Sequence, residues 1–208
     1  MVGEDKPAEV FILECLTERD KRFTRGKSEG EWVETFLAIH GKTPRIHPVG
    51  SIPDLMQALV EFESSGYKYL HISAHGNQEQ IFLGDVVVEY EEFADILGGK
   101  LDRKRLFVSA CELGNDRFIS EIERTNPRIL SIMAPTDTIQ VKDALSIWTI
   151  FYPAMFHHDS VKMTSGNIKY VLDSLCRLFT ISFMFSWRRK RHPRLVCEIF
   201  ESSKSPAD

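Results

Sequence analysis

The sequence predicts an α/β fold with a mostly parallel central sheet and helices on both faces of that sheet. Short apolar runs alternate along the chain with segments whose apolar residues recur at helical spacing, and this alternation is typical of strand–helix–strand units. The chain has 208 residues, of which 43% are apolar and 27% are charged. A chain of this length and composition is expected to form one globular domain with a complete hydrophobic core.

The predicted strands are short runs rich in β-branched and aromatic residues. The first is residues 9–16 (EVFILECL), and a β-hairpin is expected where Gly84-Asp85 separates the apolar runs 81–83 and 86–88. The other extended segments are predicted at residues 45–49, 67–74, 105–109 and 129–133. Near the end of the chain, residues 180–185 and 195–200 are expected to be extended and to pair with each other.

The predicted helices have apolar residues at intervals of three or four. The clearest start is at Ser51, whose side chain can cap a helix that has Pro53 in its first turn and ends near Gly66. The other helices are predicted at residues 31–40, 91–97, 116–124, 141–156 and 166–179. Because these segments separate the strands, each can connect two parallel strands across a face of the sheet.

Charge and cysteine content exclude several functional classes. With 30 acidic and 26 basic residues the net charge is −4, so direct binding of nucleic acid through bulk electrostatics is not expected. The four cysteines have no CxxC spacing, which argues against a disulfide framework and a zinc site; Cys15, Cys176 and Cys197 lie in apolar patterns and are expected in the core. The polar start of the sequence is not typical of a secretory leader and no apolar run is long enough to span a membrane, so a cytoplasmic protein is expected.

Two predicted strands are each followed by a chemically reactive residue. One strand leads into Ser73-Ala74-His75-Gly76 and the other into Ser109-Ala110-Cys111-Glu112. If these strands are neighbours, His75 and Cys111 emerge side by side at the carboxyl edge of the sheet, where α/β proteins bind ligands. Such a pair suits a nucleophile and its proton acceptor, with the N–H groups of Gly76 and Cys111 as an oxyanion hole. The alternative is a buried core cysteine and a structural histidine, since cysteine is among the most buried residue types.

The order of these two motifs resembles the caspase-like (clan CD) cysteine peptidases, specifically the CHAT-domain type. The motifs are YLHISAHG and LFVSACELG; the cysteine follows the histidine by 36 positions, and a hairpin and a short helix lie between them. The resemblance is strongest over residues 67–156. It implies a caspase-like three-layer sandwich over residues 1–179, with residues 180–208 forming C-terminal extended segments and a basic loop, expected to belong to the same domain.

The resemblance implies a cysteine endopeptidase that cleaves a protein substrate through a Cys111–His75 dyad. Gly76 would match the glycine whose backbone helps to hold the oxyanion, and the chemistry needs no metal or cofactor. Such proteins commonly act within larger signalling or defence systems, so an activating protein partner and weak basal activity are expected. The alternative is a non-catalytic interaction or scaffold module that has kept the fold.

The same resemblance implies which residues line the substrate pocket. They are residues 18–20, Ser109 and residues 134–137, so that Asp20 and Asp137 would supply carboxylates beside the small Ser109. An excess of carboxylate predicts cleavage after a basic residue. The alternative is that these acids face solvent and the pocket is neutral.

Two further features have a structural and a functional interpretation. The basic run at residues 187–194 could contact phosphates, anionic lipid or an acidic partner, but a solvated loop is favoured because the chain is otherwise acidic. His71 shares a strand face with His75, but a metal site would need a further ligand and none is near in sequence.

Overall fold

The strands and helices alternate along the chain in the order expected for an α/β protein. The computed structural model describes residues 9–202, apart from the side chain of Phe23. The strands are β1 (Val10–Glu14), β2 (Arg45–Pro48), β3 (Tyr69–Ser73), β4 (His75–Gly76), β5 (Gln80–Leu83), β6 (Val86–Glu89), β7 (Arg105–Ser109), β8 (Ser131–Pro135), β9 (Phe183–Arg188) and β10 (Leu195–Phe200). The helices are α1 (Glu29–Ile39), α2 (Ile52–Ser65), α3 (Tyr90–Ile96), α4 (Asp116–Thr125), α5 (Val141–His158) and α6 (Ser165–Phe179).

Seven strands form the central sheet in the order β10-β9-β8-β7-β3-β1-β2. The strands from β8 to β2 run parallel to one another, whereas β9 is antiparallel to β8 and β10 is antiparallel to β9. A second, three-stranded sheet contains β4, β5 and β6. Because the central sheet is mostly parallel, the carboxyl ends of β1, β3, β7 and β8 meet at one edge, which is called the carboxyl edge below.

Helices cover both faces of the central sheet and give the molecule three layers. Alternate residues of β1 face opposite sides: Phe11 and Leu13 join the core beneath α2, α3 and α4, while Val10 and Ile12 join the core beneath α1, α5 and α6. This alternation follows from the two-residue period of a strand. The predicted α/β sandwich with helices on both faces is therefore confirmed.

Helix α1 begins earlier than the sequence predicts. Its N-terminus is fixed by a capping box, in which the Ser28 side chain accepts a hydrogen bond from the Glu31 N–H and the Glu31 carboxylate accepts one from the Ser28 N–H. The helix therefore starts at Glu29 rather than at residue 31. This start places the Glu29 carboxylate at the carboxyl edge. In residues 9–202, no helix combines the length and the apolar character needed to cross a bilayer.

The C-terminal strands β9 and β10 extend the central sheet by an antiparallel pair. The predicted loop at residues 187–194 is shorter in the structure: Trp187 and Arg188 are the last residues of β9, and the connection to β10 spans residues 189–194. Cys197 was predicted in the core, and this is wrong: its side chain is exposed on β10. The reason is that β10 lies at the edge of the sheet, where the face that carries Cys197 is only partly covered: Ile199, on the same face, is 51% exposed.

Candidate active site

The structure places His75 and Cys111 next to each other at the carboxyl edge. Strands β3 and β7 are parallel neighbours whose last paired residues are Ser73 and Ser109. His75 and Cys111 each lie two residues beyond this pair, and both line a cavity of about 30 Å³. Ser109 lines the same cavity, so three of the residues singled out from the sequence converge on it.

Asp20 holds the imidazole of His75. One carboxylate oxygen of Asp20 lies 3.0 Å from Nε2 of His75, while the other accepts hydrogen bonds from the N–H and the hydroxyl of Thr17 at 2.7 and 2.9 Å. Burial alone would raise the pKa of Asp20, but the hydrogen bonds from His75 and Thr17 outweigh it and lower the pKa below its ordinary value. An ionised Asp20 therefore orients the ring and leaves Nδ1 as the nitrogen that can accept a proton.

Cys111 is half-buried beneath the loop that connects β8 to α5. Its Sγ donates a hydrogen bond to the carbonyl oxygen of Ile139, at 3.6 Å. The next residue, Glu112, has a left-handed backbone with φ of 61°, and its N–H donates to the carbonyl of Asp137 at 3.2 Å. Ile139 is only 9% exposed. The loop therefore lies against the thiol and is hydrogen-bonded to the segment that carries it.

Gly76 lies close to the segment that carries Cys111. A Cβ atom at this position would collide with the side chain of Leu113 and would lie 3.3 Å from the carbonyl oxygen of Cys111. Any side chain at residue 76 would therefore push the two segments apart. This close approach places the Gly76 backbone beside Cys111, and its role in holding an oxyanion stays a prediction.

Glu29 is a residue of the cavity that the sequence analysis missed. Its carboxylate is 3% exposed and accepts a hydrogen bond from the hydroxyl of Ser109 at 2.9 Å, and its other oxygen is 3.3 Å from Nε2 of His71. Nδ1 of His71 is 2.9 Å from the hydroxyl of Tyr152. A chain of polar contacts thus runs from the core through His71 and Glu29 to the cavity. The Ser28–Glu31 capping pattern is the sequence signal that could have located Glu29 at a helix start.

A second buried carboxylate, Glu14, supports the first turn of α1. It accepts hydrogen bonds from the N–H groups of Gly30 and Leu16, at 2.6 and 3.0 Å. Burial, reinforced by the negative charge of Glu29, raises the pKa of Glu14 to about 7. Two carboxylates therefore lie behind the cavity wall at the end of β1.

The acids expected in the substrate pocket do not line this cavity. Asp20 contacts His75, as described above. Asp137 is exposed, and its carboxylate accepts a hydrogen bond from the hydroxyl of Thr136 at 3.2 Å. The side chain of Glu18 is 86% exposed and pairs with Lys21. The carboxylate that lines the cavity is that of Glu29. Within the part of the chain that the structure describes, no three metal-ligating side chains converge on a common point.

Comparison with known proteins relates the fold to cysteine proteases. No protein-family model matches the sequence, and no curated protein matches it significantly. An inactive zymogen of a C11 protease from Parabacteroides distasonis superimposes with a TM-score of 0.61 at 10% identity, over 88% of this chain and 62% of that one. A secreted C11 cysteine protease from Bacteroides thetaiotaomicron gives a TM-score of 0.59 at 9% identity, over 86% of this chain and 66% of that one.

The Arg-specific cysteine proteinase gingipain R has the same fold. It superimposes with a TM-score of 0.56 at 14% identity, over 83% of this chain and 43% of that one, and the same protease occurs in a Porphyromonas gingivalis complex of pro- and mature domains. The protein therefore spans between 43% and 66% of the length of these chains. At such low identities the likeness concerns the fold, and the protein has the caspase-like α/β fold of clan CD cysteine proteases.

Proposed function

We propose that the protein is a cysteine endopeptidase of the CHAT type, in which Cys111 is the nucleophile and His75 the general base. The observation that supports this most strongly is that both residues follow neighbouring parallel strands by the same two positions and line one cavity. A core cysteine or a merely structural histidine would not require this correspondence. The CHAT assignment depends on the YLHISAHG and LFVSACELG motifs.

The residues of the site can divide the reaction as follows. His75 takes the thiol proton of Cys111, and the thiolate attacks the carbonyl carbon of the scissile peptide bond. The N–H groups of Gly76 and Cys111 stabilise the resulting oxyanion. The C–N bond then breaks as His75 gives its proton to the leaving amine, and water hydrolyses the thioester to release the acid and regenerate the thiol. Asp20 keeps the ring oriented throughout.

The cavity suits a basic residue before the scissile bond. Ser109 is small and Glu29 supplies a buried carboxylate at the cavity wall, so an arginine or lysine side chain could pair with it in a partly desolvated site. The Arg specificity named for gingipain R supports this choice of substrate. The proposal keeps the basic preference expected from the sequence but assigns it to Glu29 instead of Asp20 and Asp137.

The geometry also supports a latent state. A cavity of about 30 Å³ has room for only about two water molecules, so an arginine side chain does not fit it in this conformation. The Ile139 carbonyl accepts the hydrogen bond of the Cys111 thiol, which the attacking thiolate must give up. Residues 136–140 must therefore move before substrate binds, and an activating protein partner would stabilise the open loop.

An electrophilic peptide probe with arginine next to the warhead tests the nucleophile. The probe should label the wild type, and Cys111→Ala should remove the label, while Cys197→Ala, which removes an exposed thiol far from the site, should retain it. Mass spectrometry of the labelled peptide identifies the modified cysteine. Labelling of Cys197 with none at Cys111, with and without mild heating to open the loop, would instead favour the non-catalytic scaffold.

A further inference from the structure

The amino ends of the parallel strands form a second functional candidate, at the edge of the sheet opposite the active site. Backbone hydrogen bonds of 2.9 Å connect the starts of β3, β7 and β8 with the end of the antiparallel strand β9: the Arg105 N–H donates to the carbonyl of Lys68, the Leu130 N–H to that of Lys104, and the Arg188 N–H to that of Leu130. These contacts set four successive segments side by side across β3, β7, β8 and β9. The row spans roughly 15 Å, since neighbouring strands lie about 4.8 Å apart.

Cations without a carboxylate partner are concentrated along this row. Apart from the buried Arg105, seven basic side chains there form no ion pair with any residue in 9–202: Lys68, Arg103, Lys104, Arg189, Lys190, Arg191 and Arg194. The carboxylates of this region are already engaged, Asp102 by Arg128 at 2.6 Å and Glu123 by Arg188 at 2.8 Å. The local charge is therefore strongly positive although the whole chain is acidic.

The hairpin that carries four of these cations is held in place. Glu123 accepts from the Arg188 guanidinium and from the Leu195 N–H, so it fastens both strands of the hairpin to α4. Arg188 also donates to the carbonyl of Pro193 at 2.8 Å, and the His192 N–H donates to the carbonyl of Arg189 at 3.2 Å. These contacts present the exposed cations on an ordered turn, which lowers the entropy lost when they bind a ligand.

The surface lacks the apolar centre that a protein interface requires. The exposed large hydrophobic side chains of the described residues include none from 66–68, 102–105, 127–130 or 189–194. A docking site for a protein normally has buried apolar or aromatic contacts at its centre, and a membrane-binding surface normally inserts apolar side chains. A polymer recognised through regularly repeated charges needs neither, and guanidinium groups match phosphate by paired hydrogen bonds.

We propose that the basic edge formed by Lys68, Arg103, Lys104 and the hairpin 189–194 binds the phosphodiester backbone of a nucleic acid without reading its sequence. The site is independent of the proposed peptidase chemistry and leaves the carboxyl edge open. The expectation from the sequence was that the basic run is a solvated loop, and it was based on the charge of the whole chain. The structure adds the alignment of the hairpin with the cations at the starts of β3 and β7.

The proposal is tested by fluorescence anisotropy over a series of NaCl concentrations. The probes are a labelled single-stranded oligonucleotide of about 20 nucleotides and a duplex of equal length. The full chain should bind, with an affinity that falls linearly on logarithmic axes as salt increases. Replacing Arg189, Lys190, Arg191 and Arg194 by serine should weaken binding at least tenfold and reduce the salt slope by about 2–3.

The matched control removes four exposed cations from the carboxyl edge and from loops next to it. Serine at Arg22, Arg25, Arg117 and Lys142 makes the same change in net charge and should leave both affinity and slope within about twofold of the wild type. Circular dichroism verifies that both variants fold. Three results would overturn the proposal: no binding by the wild type at 50 mM NaCl, equal losses in the two variants, or tighter hairpin-dependent binding to phosphatidylserine vesicles or to polyglutamate than to either nucleic acid.

Discussion

The two edges of the central sheet differ in how their charged side chains are held. At the carboxyl edge, Asp20, Glu14 and Glu29 are each held by at least two polar contacts and lie wholly or largely out of solvent. At the opposite edge the hairpin cations are exposed and have no carboxylate partner in residues 9–202. Substitutions at the carboxyl edge should therefore have non-additive effects, because the side chains there contact one another. Substitutions at the basic edge should have independent effects that add up.

The largest effect is expected from His75→Ala at the carboxyl edge. Loss of the general base should lower kcat/KM for an arginine peptide by about 10³-fold after activation. His192→Ala, at the basic edge, is the matched control and should leave turnover unchanged. Activity of His75→Ala within a few-fold of the wild type would contradict the dyad.

Glu29→Gln should change which substrate is cleaved. Without the carboxylate, kcat/KM for an arginine peptide should fall by about 10²-fold, because a buried charged pair is replaced by a neutral contact. For a peptide with norleucine in place of arginine, kcat/KM should fall much less. Asp137→Asn removes an exposed acid near the site and should leave the preference for arginine intact. If Asp137→Asn lost this preference and Glu29→Gln kept it, Asp137 would be the residue that recognises the basic side chain.

Glu14 should make stability depend on pH. Its pKa is raised from 4.5 to about 7, so the folded state binds a proton that the unfolded state releases, and stability should fall as pH rises from about 4.5 to 7. The contribution is on the order of 3 kcal/mol. Urea unfolding at pH 4.5, 6 and 7.5 measures the free energy of unfolding. In Glu14→Gln, the part of its decrease that comes from Glu14 should be absent. An identical pH dependence in the variant would show that Glu14 does not titrate in this range.

Asp20→Asn should have a smaller effect on catalysis than loss of the histidine itself. The amide can still contact the ring but supplies no negative charge, so kcat should fall about tenfold with little change in KM. Because the pKa of Asp20 is lowered, its carboxylate and the contact with His75 should persist as pH falls through 5. Asp20→Glu should restore part of the rate, and if Asp20→Asn raised KM alone, Asp20 would act in substrate binding, as first expected.

The smallest effect is expected from a single cation at the basic edge. Arg191→Ser should weaken nucleic-acid binding only two- to threefold, because one of several independent charges is lost. The free energy of unfolding should not change, since the side chain makes no ion pair within the described part of the chain. A tenfold loss from this one substitution would indicate a specific pocket rather than a distributed surface.

The sequence by itself determined most of the strands and the position of the two reactive residues, although it missed β4 and placed β9 three residues too early. Apolar runs such as 105–109 are recognisable because burial on both faces requires nearly every residue to be apolar, and His75 and Cys111 directly follow such runs. Their adjacency then depended only on β3 and β7 being neighbours, which the structure shows.

The tertiary structure alone decided the partners of those residues. Asp20 is 55 residues from His75, and Glu29 is 80 residues from Ser109 in sequence. No local period or spacing connects residues so far apart, because their contact depends on which strands are neighbours and where a helix begins. The same holds for Ile139 over the thiol and for the alignment of the basic hairpin with Lys68 and Lys104. Local patterns therefore predict the elements, while packing between distant segments determines the environment in which a reactive side chain works.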